Sequence, residues 1–289
     1  MEISTEIGSF RPYGANREIL RLLKDSGFTA YDFSMFRGTL KDRLIDSENY
    51  RYDAKALREY ADSIGLRCNQ AHAPFPTARK GNESYNESAF PEIARAIEVS
   101  GILGAKVCVV HPCNDYTAEE NASLYRRFEL YARRAGVKIG VENMWNWDDK
   151  AGHACAAACS SPDSYLAHLA LLDEEVFTAC LDIGHAEMAG LGTSAPEMIA
   201  ALGRRLGAMP LHDNDRLHDS HTLPYMGSVV FPAIIDALKA IGYRGDVTLE
   251  ADQFLRGFPL ELYPSAARLM ADVAKSFQSA LTAPDGRDG

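Results

Sequence analysis

Short apolar runs of strand type alternate with amphipathic stretches of helical length about eight times along the chain, and no other feature limits the fold as much. The strand runs are residues 2–7 (EISTEI), 28–34 (FTAYDFS), 66–72 (LRCNQAH), 106–111 (KVCVVH), 137–143 (VKIGVEN), 177–183 (FTACLDI), 208–212 (AMPLH) and 246–251 (DVTLEA). Helices are expected near 16–26, 53–64, 88–103, 118–135, 162–171, 195–206, 231–241 and 263–281. Strands separated by helices of this length pair in parallel, because the chain must cross back over the sheet between them. Ser161-Pro162 opens one helix, and Gly65, Gly136 and Gly242 each follow the end of another. Eight such units with no break in composition, and no GxGxxG after any strand, favour an α/β chain closed as a (β/α)8 TIM barrel over an open doubly wound sheet. A chain of 289 residues is the right size for one such barrel, so a single domain spanning 1–289 is expected.

The chemistry lies at the carboxyl ends of these strands. His72, His111, Glu142, Asp182, His212 and Glu250 each close one of six consecutive strand runs. In a barrel those ends converge on one mouth, so residues far apart in sequence can meet there. His185 follows Asp182 by three residues, and Asp219 and His221 occupy the loop after His212. Any one of these has a plain structural reading: a lone histidine bonds backbone readily, Asp182 can cap a turn, and the glutamates can form ion pairs. A carboxylate ending a strongly apolar strand is nevertheless costly to bury unless it is paired or coordinated, and the feature recurs on six strands in series. Imidazole nitrogens with carboxylate oxygens suit a divalent metal, Mn2+ or Zn2+ first, with Mg2+ or Co2+ as further fits. His153, His168 and His218 have no such placement and read as surface or structural residues. His153, Cys155 and Cys159 lack a fourth ligand at finger spacing and read as an ordinary loop.

The formal charge of −10 argues against a nucleic-acid surface, since phosphate binding calls for a basic face. No run approaches the roughly 20 apolar residues of a membrane span, and the first residues lack a signal-peptide layout, so a cytoplasmic location is expected. The six cysteines are scattered, so free thiols are expected.

At the strand-end residues the sequence resembles the xylose isomerase-like barrel superfamily, which includes sugar isomerases and epimerases and the endonuclease IV type of apurinic endonuclease. The resemblance runs from Glu2 to about Phe277. In the D-tagatose 3-epimerase branch one metal is held by Glu, Asp, His and Glu, which match Glu142 in VEN, Asp182 in LDIGH, His212 in LHDND and Glu250 in TLEAD. The resemblance implies that Glu142 and Glu250 also act as acid and base, on opposite faces of a sugar or sugar phosphate, through a metal-stabilised enediolate. It implies that His185 and Arg216 contact substrate hydroxyls. The endonuclease branch binds three zinc ions, and residues of the right type stand at its nine ligand positions, adding His72, His111, His185, Asp219 and His221. The surroundings AYDFSMFRG, CNQAHAPFP, VENMWNWDD and HDNDRLHDSHTLP look instead like the sugar phosphate isomerase group. Trp145 and Trp147 crowd the fifth loop, where an aromatic face can pack on a sugar or simply anchor the loop. The expectation is therefore a metal-dependent isomerase or epimerase of a small sugar, with an endonuclease IV-like multi-zinc phosphoesterase or a non-catalytic sugar-binding barrel as alternatives. Relatives commonly assemble as homodimers or homotetramers. One candidate phosphate nest is present, the amides around Gly227 and Ser228 ahead of the helix that starts near Phe231.

Overall fold

Parallel pairing carries the barrel around. In the computed structural model, which describes residues 1–37 and 43–284, the strands are β1 (Ile3–Thr5), β2 (Ala30–Ser34), β3 (Arg67–His72), β4 (Val107–Val110), β5 (Lys138–Glu142), β6 (Asn146–Asp148), β7 (His153–Cys155), β8 (Phe177–Cys180), β9 (Leu206–Ala208), β10 (Pro210–Leu211) and β11 (Val247–Leu249). One parallel sheet runs β2-β3-β4-β5-β8-β9 and another β1-β11-β10. Two seams join them. β9 and β10 are halves of the seventh barrel strand, parted at Met209 beside Pro210, which has no amide proton for the ladder. At the other seam Glu6 bridges Asp32, with the Ile7 amide donating to Asp32 O and the Thr29 amide to Ile3 O, both at 3.1 Å. The ring is thereby a closed TIM barrel.

Every expected strand forms within a few residues of its place. The helices are α1 (Asn16–Ser26), α2 (Tyr50–Ser63), α3 (Glu83–Leu103), α4 (Ala118–Arg126), α5 (Glu129–Ala135), α6 (Pro162–Ala170), α7 (Ile183–Ala186), α8 (Ala195–Leu202), α9 (Phe231–Ala240) and α10 (Tyr263–Thr282). Ser161 caps α6, its hydroxyl accepting from the Ser164 amide at 3.3 Å. Gly65, Gly136 and Gly242 follow α2, α5 and α9 with φ of 68°, 69° and 66°, the left-handed conformation that ends helices. The helix expected over 118–135 is two helices. Between them the Arg127 amide bonds Leu124 O and the Phe128 amide bonds Tyr125 O, and this tightened turn keeps Tyr125 and Phe128 both in the core. The helix expected to reach 206 stops at Leu202, because Leu206 already belongs to β9.

The apolar faces of the helices bury against the outside of the ring, α1 through Ile19, Leu20, Leu22 and Leu23, and α10 through Met270, Ala274 and Phe277. β6 and β7 form an antiparallel hairpin within the loop that follows β5. All six cysteines are free. No described helix is long and apolar enough to cross a membrane.

Candidate active site

The strand-end residues meet at the mouth. A side chain aims them: Asn143, just past β5, donates its Nδ2 to Asp182 O at 2.9 Å and accepts at Oδ1 from the Asp182 backbone amide at 2.7 Å, tying the ends of β5 and β8 together. The Asp182 carboxylate then accepts from the His185 amide at 2.7 Å and caps the short helix α7. The His185 ring lies with Nδ1 3.0 Å from Asn143 O, which requires a proton on Nδ1 and turns Nε2 to Asp219 at 3.1 Å. His212 Nε2 lies 3.0 Å from Asp182 Oδ1 and 3.7 Å from Asp219 Oδ1. The ring of His221 stacks on that of His212 with centroids 3.8 Å apart. Its Nδ1 faces Glu250 O at 2.8 Å and its Nε2 faces Asp219 at 3.2 Å. His221 reaches this pose with φ of 37°, a strained backbone for a side-chain-bearing residue.

Across the mouth, His72 Nε2 lies 3.6 Å from Glu250 Oε2 and 3.9 Å from Glu142 Oε2, while His111 Nε2 lies 3.2 Å from Glu142 Oε2. Phe75 packs on the His111 ring, 4.7 Å between centroids. Trp145 donates its indole N–H to Asp219 at 3.3 Å, so this tryptophan faces the mouth, whereas Trp147 is exposed and meets Trp145 edge-on. Arg216 stands apart from the cluster: its guanidinium pairs with buried Glu187 at 3.3 Å. His168 is structural, bonding Ser164 O and Asn121, and His218 is an exposed partner of Asp215.

Burial and mutual charge set the ionisation here. Burial pushes Glu142 up to about 7, against the pull of His185. Burial, then the neighbouring Glu142, holds Glu250 well above the usual carboxylate range. Burial works the same way on Asp182, but the charges of His185 and His212 outweigh it and hold that carboxyl below its usual value. Burial and the nearby His72 drive His111 well below the ordinary imidazole range.

Buried atoms left without a hydrogen-bond partner gather at this mouth: His72 Nε2, Glu142 Oε2, Asp182 Oδ2, His212 Nε2, Asp219 Oδ1 and Glu250 Oε2. Buried polar atoms in native chains are normally satisfied, so a concentration of open acceptors marks a site built for a cation. Among the described residues, ligand atoms within 4.8 Å of one another form two groups, His185 with His212, Asp219 and His221, and Glu142 with Asp182 and His185. The expected quartet of Glu142, Asp182, His212 and Glu250 surrounds the same mouth without being one of these compact groups.

Three carboxylates at the mouth were not foreseen, the first being Asp252, whose Oδ1 lies 3.3 Å from His221 Nδ1. Asp32, in the middle of β2, accepts from Gln70 at 2.8 Å and lies 2.9 Å from His72 Nδ1, so it fixes that ring with Nε2 facing inward. Glu6, at the end of the first strand run, accepts from the Gly8 and Ser9 amides and from the Ser34 hydroxyl. The strand-end rule extended to the first strand finds Glu6, whereas Asp32, inside β2, lies outside that rule.

Residues 20–273 match the family described as Xylose isomerase-like TIM barrel. The chain belongs to that family. The resemblance read from the strand ends therefore holds. An uncharacterized protein of Methanocaldococcus jannaschii is 30% identical over 190 residues, and the chain spans 62% of that relative's length, with 62% of this chain matched. Among solved structures, a D-tagatose 3-epimerase-like protein superposes with a TM-score of 0.74 at 22% identity, covering 97% of this chain and 98% of its own. The IOLI protein with a bound zinc atom superposes with a TM-score of 0.71 at 19% identity, covering 97% of this chain and 98% of its own. At those identities the likeness of this xylose isomerase-like barrel to its neighbours is one of fold.

Proposed function

We propose that this chain is a divalent-metal-dependent isomerase or epimerase of a small sugar, with Glu142 and Glu250 as its proton-transfer pair. The observation that carries the reading is the pair of buried glutamates at one mouth, both pushed above the usual carboxylate range by burial, with His72 Nε2 between them. The open atoms of Glu142, Asp182, His212 and Glu250 fit a Zn2+ or Mn2+ ion, whose borderline character accepts both imidazole and carboxylate. When bound, such an ion supplies Lewis acidity toward neighbouring carbonyl and hydroxyl oxygens. Glu142 then takes the proton from the carbon beside the carbonyl on one face of the sugar, and Glu250 returns one on the other. Trp145 offers an aromatic wall, and His185 would contact a hydroxyl through Nε2 by giving up Asp219. Arg216 can serve only by leaving Glu187. The sugar epimerase-like neighbour and the family match support the same reading.

A multi-zinc phosphoesterase is the second reading, favoured by two adjoining ligand groups that share His185: His185, His212, Asp219 and His221, and Glu142, Asp182 and His185. Glu142→Gln and Glu250→Gln, assayed with sugars in deuterated water alongside elemental analysis, separate the two. Under the isomerase reading one ion stays bound and turnover falls by roughly 10² to 10⁴, the range for losing a general acid or base. The variant that keeps its abstracting base still washes deuterium into the sugar without forming product. Near-normal turnover with metal in place removes that glutamate from the mechanism, and three ions per chain with no exchange into any sugar favours the hydrolase.

A further inference from the structure

The chain's two tryptophans both stand in the loop after β5, and the proposed chemistry uses only Trp145. Successive side chains of a strand point to opposite faces, so Trp145, just before β6, and Trp147, within it, share one side while Asn146 takes the other. The indole N–H of Trp145 reaches Asp219, which turns that shared side toward the mouth. The Trp147 ring lies 6.5 Å from the Trp145 ring at 76°, edge-on, and 41% of Trp147 stays open to solvent. The hairpin that carries it is seated firmly. Asn114 donates to Trp145 O at 3.0 Å and to Asn146 Oδ1 at 2.9 Å, and Ala154 of β7 is fully buried. Gly190, in the loop after β8, has no room for a Cβ, because His153 Nδ1 and Ala154 O stand there. Trp147 is therefore an open aromatic surface on a braced support, which a ligand can cover at little cost in ordering.

The hairpin turn adds polar groups two and three residues on. Asp149 and Lys150 are both exposed, and neither has an ion-pair partner among the described residues, so an acceptor and a donor are free for hydroxyls. An aromatic face accompanied by a few polar groups suits a sugar ring, whose C–H-bearing face is drawn to the electron-rich face of an indole while its hydroxyls stay at the edge. The unit that reacts is confined elsewhere. It lies between Glu142 and Glu250, both almost wholly buried, with Trp145 as its adjoining wall. A ring held there cannot also lie on Trp147, which is one indole farther along the hairpin. A second ring joined to the first can.

We infer that the substrate is the end unit of a larger saccharide, a disaccharide or glycoside whose second ring stacks on Trp147, an inference that rests on the isomerase reading above. Matched pairs test this: free ketoses and aldoses, each against a reducing disaccharide that ends in it, maltose against glucose and maltulose against fructose among them. Each is assayed for solvent-deuterium incorporation with the metal-loaded chain. The best disaccharide is expected to exceed its end unit in kcat/KM by about tenfold, the scale of one aromatic stacking contact, and Trp147→Ala to bring that ratio to about one. A wild-type ratio of one or less in every pair that exchanges overturns the inference and leaves the isomerase reading standing, and so does a ratio that survives Trp147→Ala. Exchange into no sugar of either kind overturns the isomerase reading and this inference with it. Acrylamide quenching of tryptophan emission gives a readout apart from turnover. The best disaccharide is expected to shield the wild type and not Trp147→Ala, and equal shielding of both overturns the stacking. Sedimentation of the two proteins checks the remaining use of an open indole: if Trp147→Ala changes the assembly and leaves the ratio intact, Trp147 is a contact between copies and the inference falls.

Discussion

Glu6→Gln offers a test of the mouth's electrostatics that needs no substrate. The Glu6 side chain is almost wholly buried, and burial, helped by Asp32 and Asp252, pushes its carboxyl from 4.5 up to about 7 in spite of the Ser34 and Gly8 bonds. A carboxyl raised on folding holds a proton in the folded chain that the unfolded chain has already lost, so the folded state loses stability as pH climbs from about 4.5 through about 7. A displacement of that size corresponds to about 3 kcal/mol, present below the unfolded value and gone above pH 8. Glutamine keeps the shape and carries no charge. With its oxygen kept on Gly8 and Ser34, its NH2 stands where Oε2 was and cannot accept from the Ser9 N–H, a loss of about 1 kcal/mol. Below pH 5 the variant should therefore be slightly less stable than the wild type, and at pH 9 more stable by about 2 kcal/mol. Urea unfolding of the chelator-treated proteins at pH 5, 7 and 9 measures the difference, in which groups common to both chains largely cancel. A difference that stays constant across this range would refute the argument, because an unperturbed carboxyl would have finished titrating before pH 6.

Three further expectations concern the site's framework. Asp182→Asn or His212→Ala should lower bound metal severely by elemental analysis while circular dichroism shows the barrel intact, since these side chains hold the ion more than the core. Gly184→Ala would put a Cβ 1.9 Å from His212 Cε1, so the ring must move, and metal content should fall although no ligand has been changed. Tyr165→Phe removes a buried hydroxyl that donates to Val141 O and sits 2.8 Å from Cys180 O, just behind Glu142 and Asp182; thermal unfolding should report a loss of about 1 to 3 kcal/mol.

The barrel was readable because each strand–helix unit is written locally, in a short apolar run followed by an amphipathic period, and closure follows once eight such units share one chain. The mouth was readable for the same reason at strands 3 to 8, where a histidine or acid interrupts an apolar run. Asp32 escaped because it sits inside FTAYDFS and not at its end, and Glu6 because EISTEI is polar enough to hide it. The β6–β7 hairpin escaped because its strands are three residues long, below the length at which alternation can be seen. Its turn did leave a mark: Asp148 accepts from the Lys150 and Ala151 amides, and Gly152 follows at φ of 69°. Pairing of Arg216 with Glu187 depends on two loops meeting in space and has no local signature.

The seam between β1 and β11 has a consequence for how the chain is made. Ser4 bonds Thr248 across 244 positions of sequence, so during synthesis the first strand waits roughly 10 to 50 s for its partner at ordinary elongation rates. Until Val247–Leu249 emerges, β1 and β10 both present bare edges, the feature by which one nascent chain recruits another. Chains cut short just before Val247 would keep those edges for good, which makes the final strand the step that takes this polypeptide out of the reach of aggregation and ties its yield to the pace of translation.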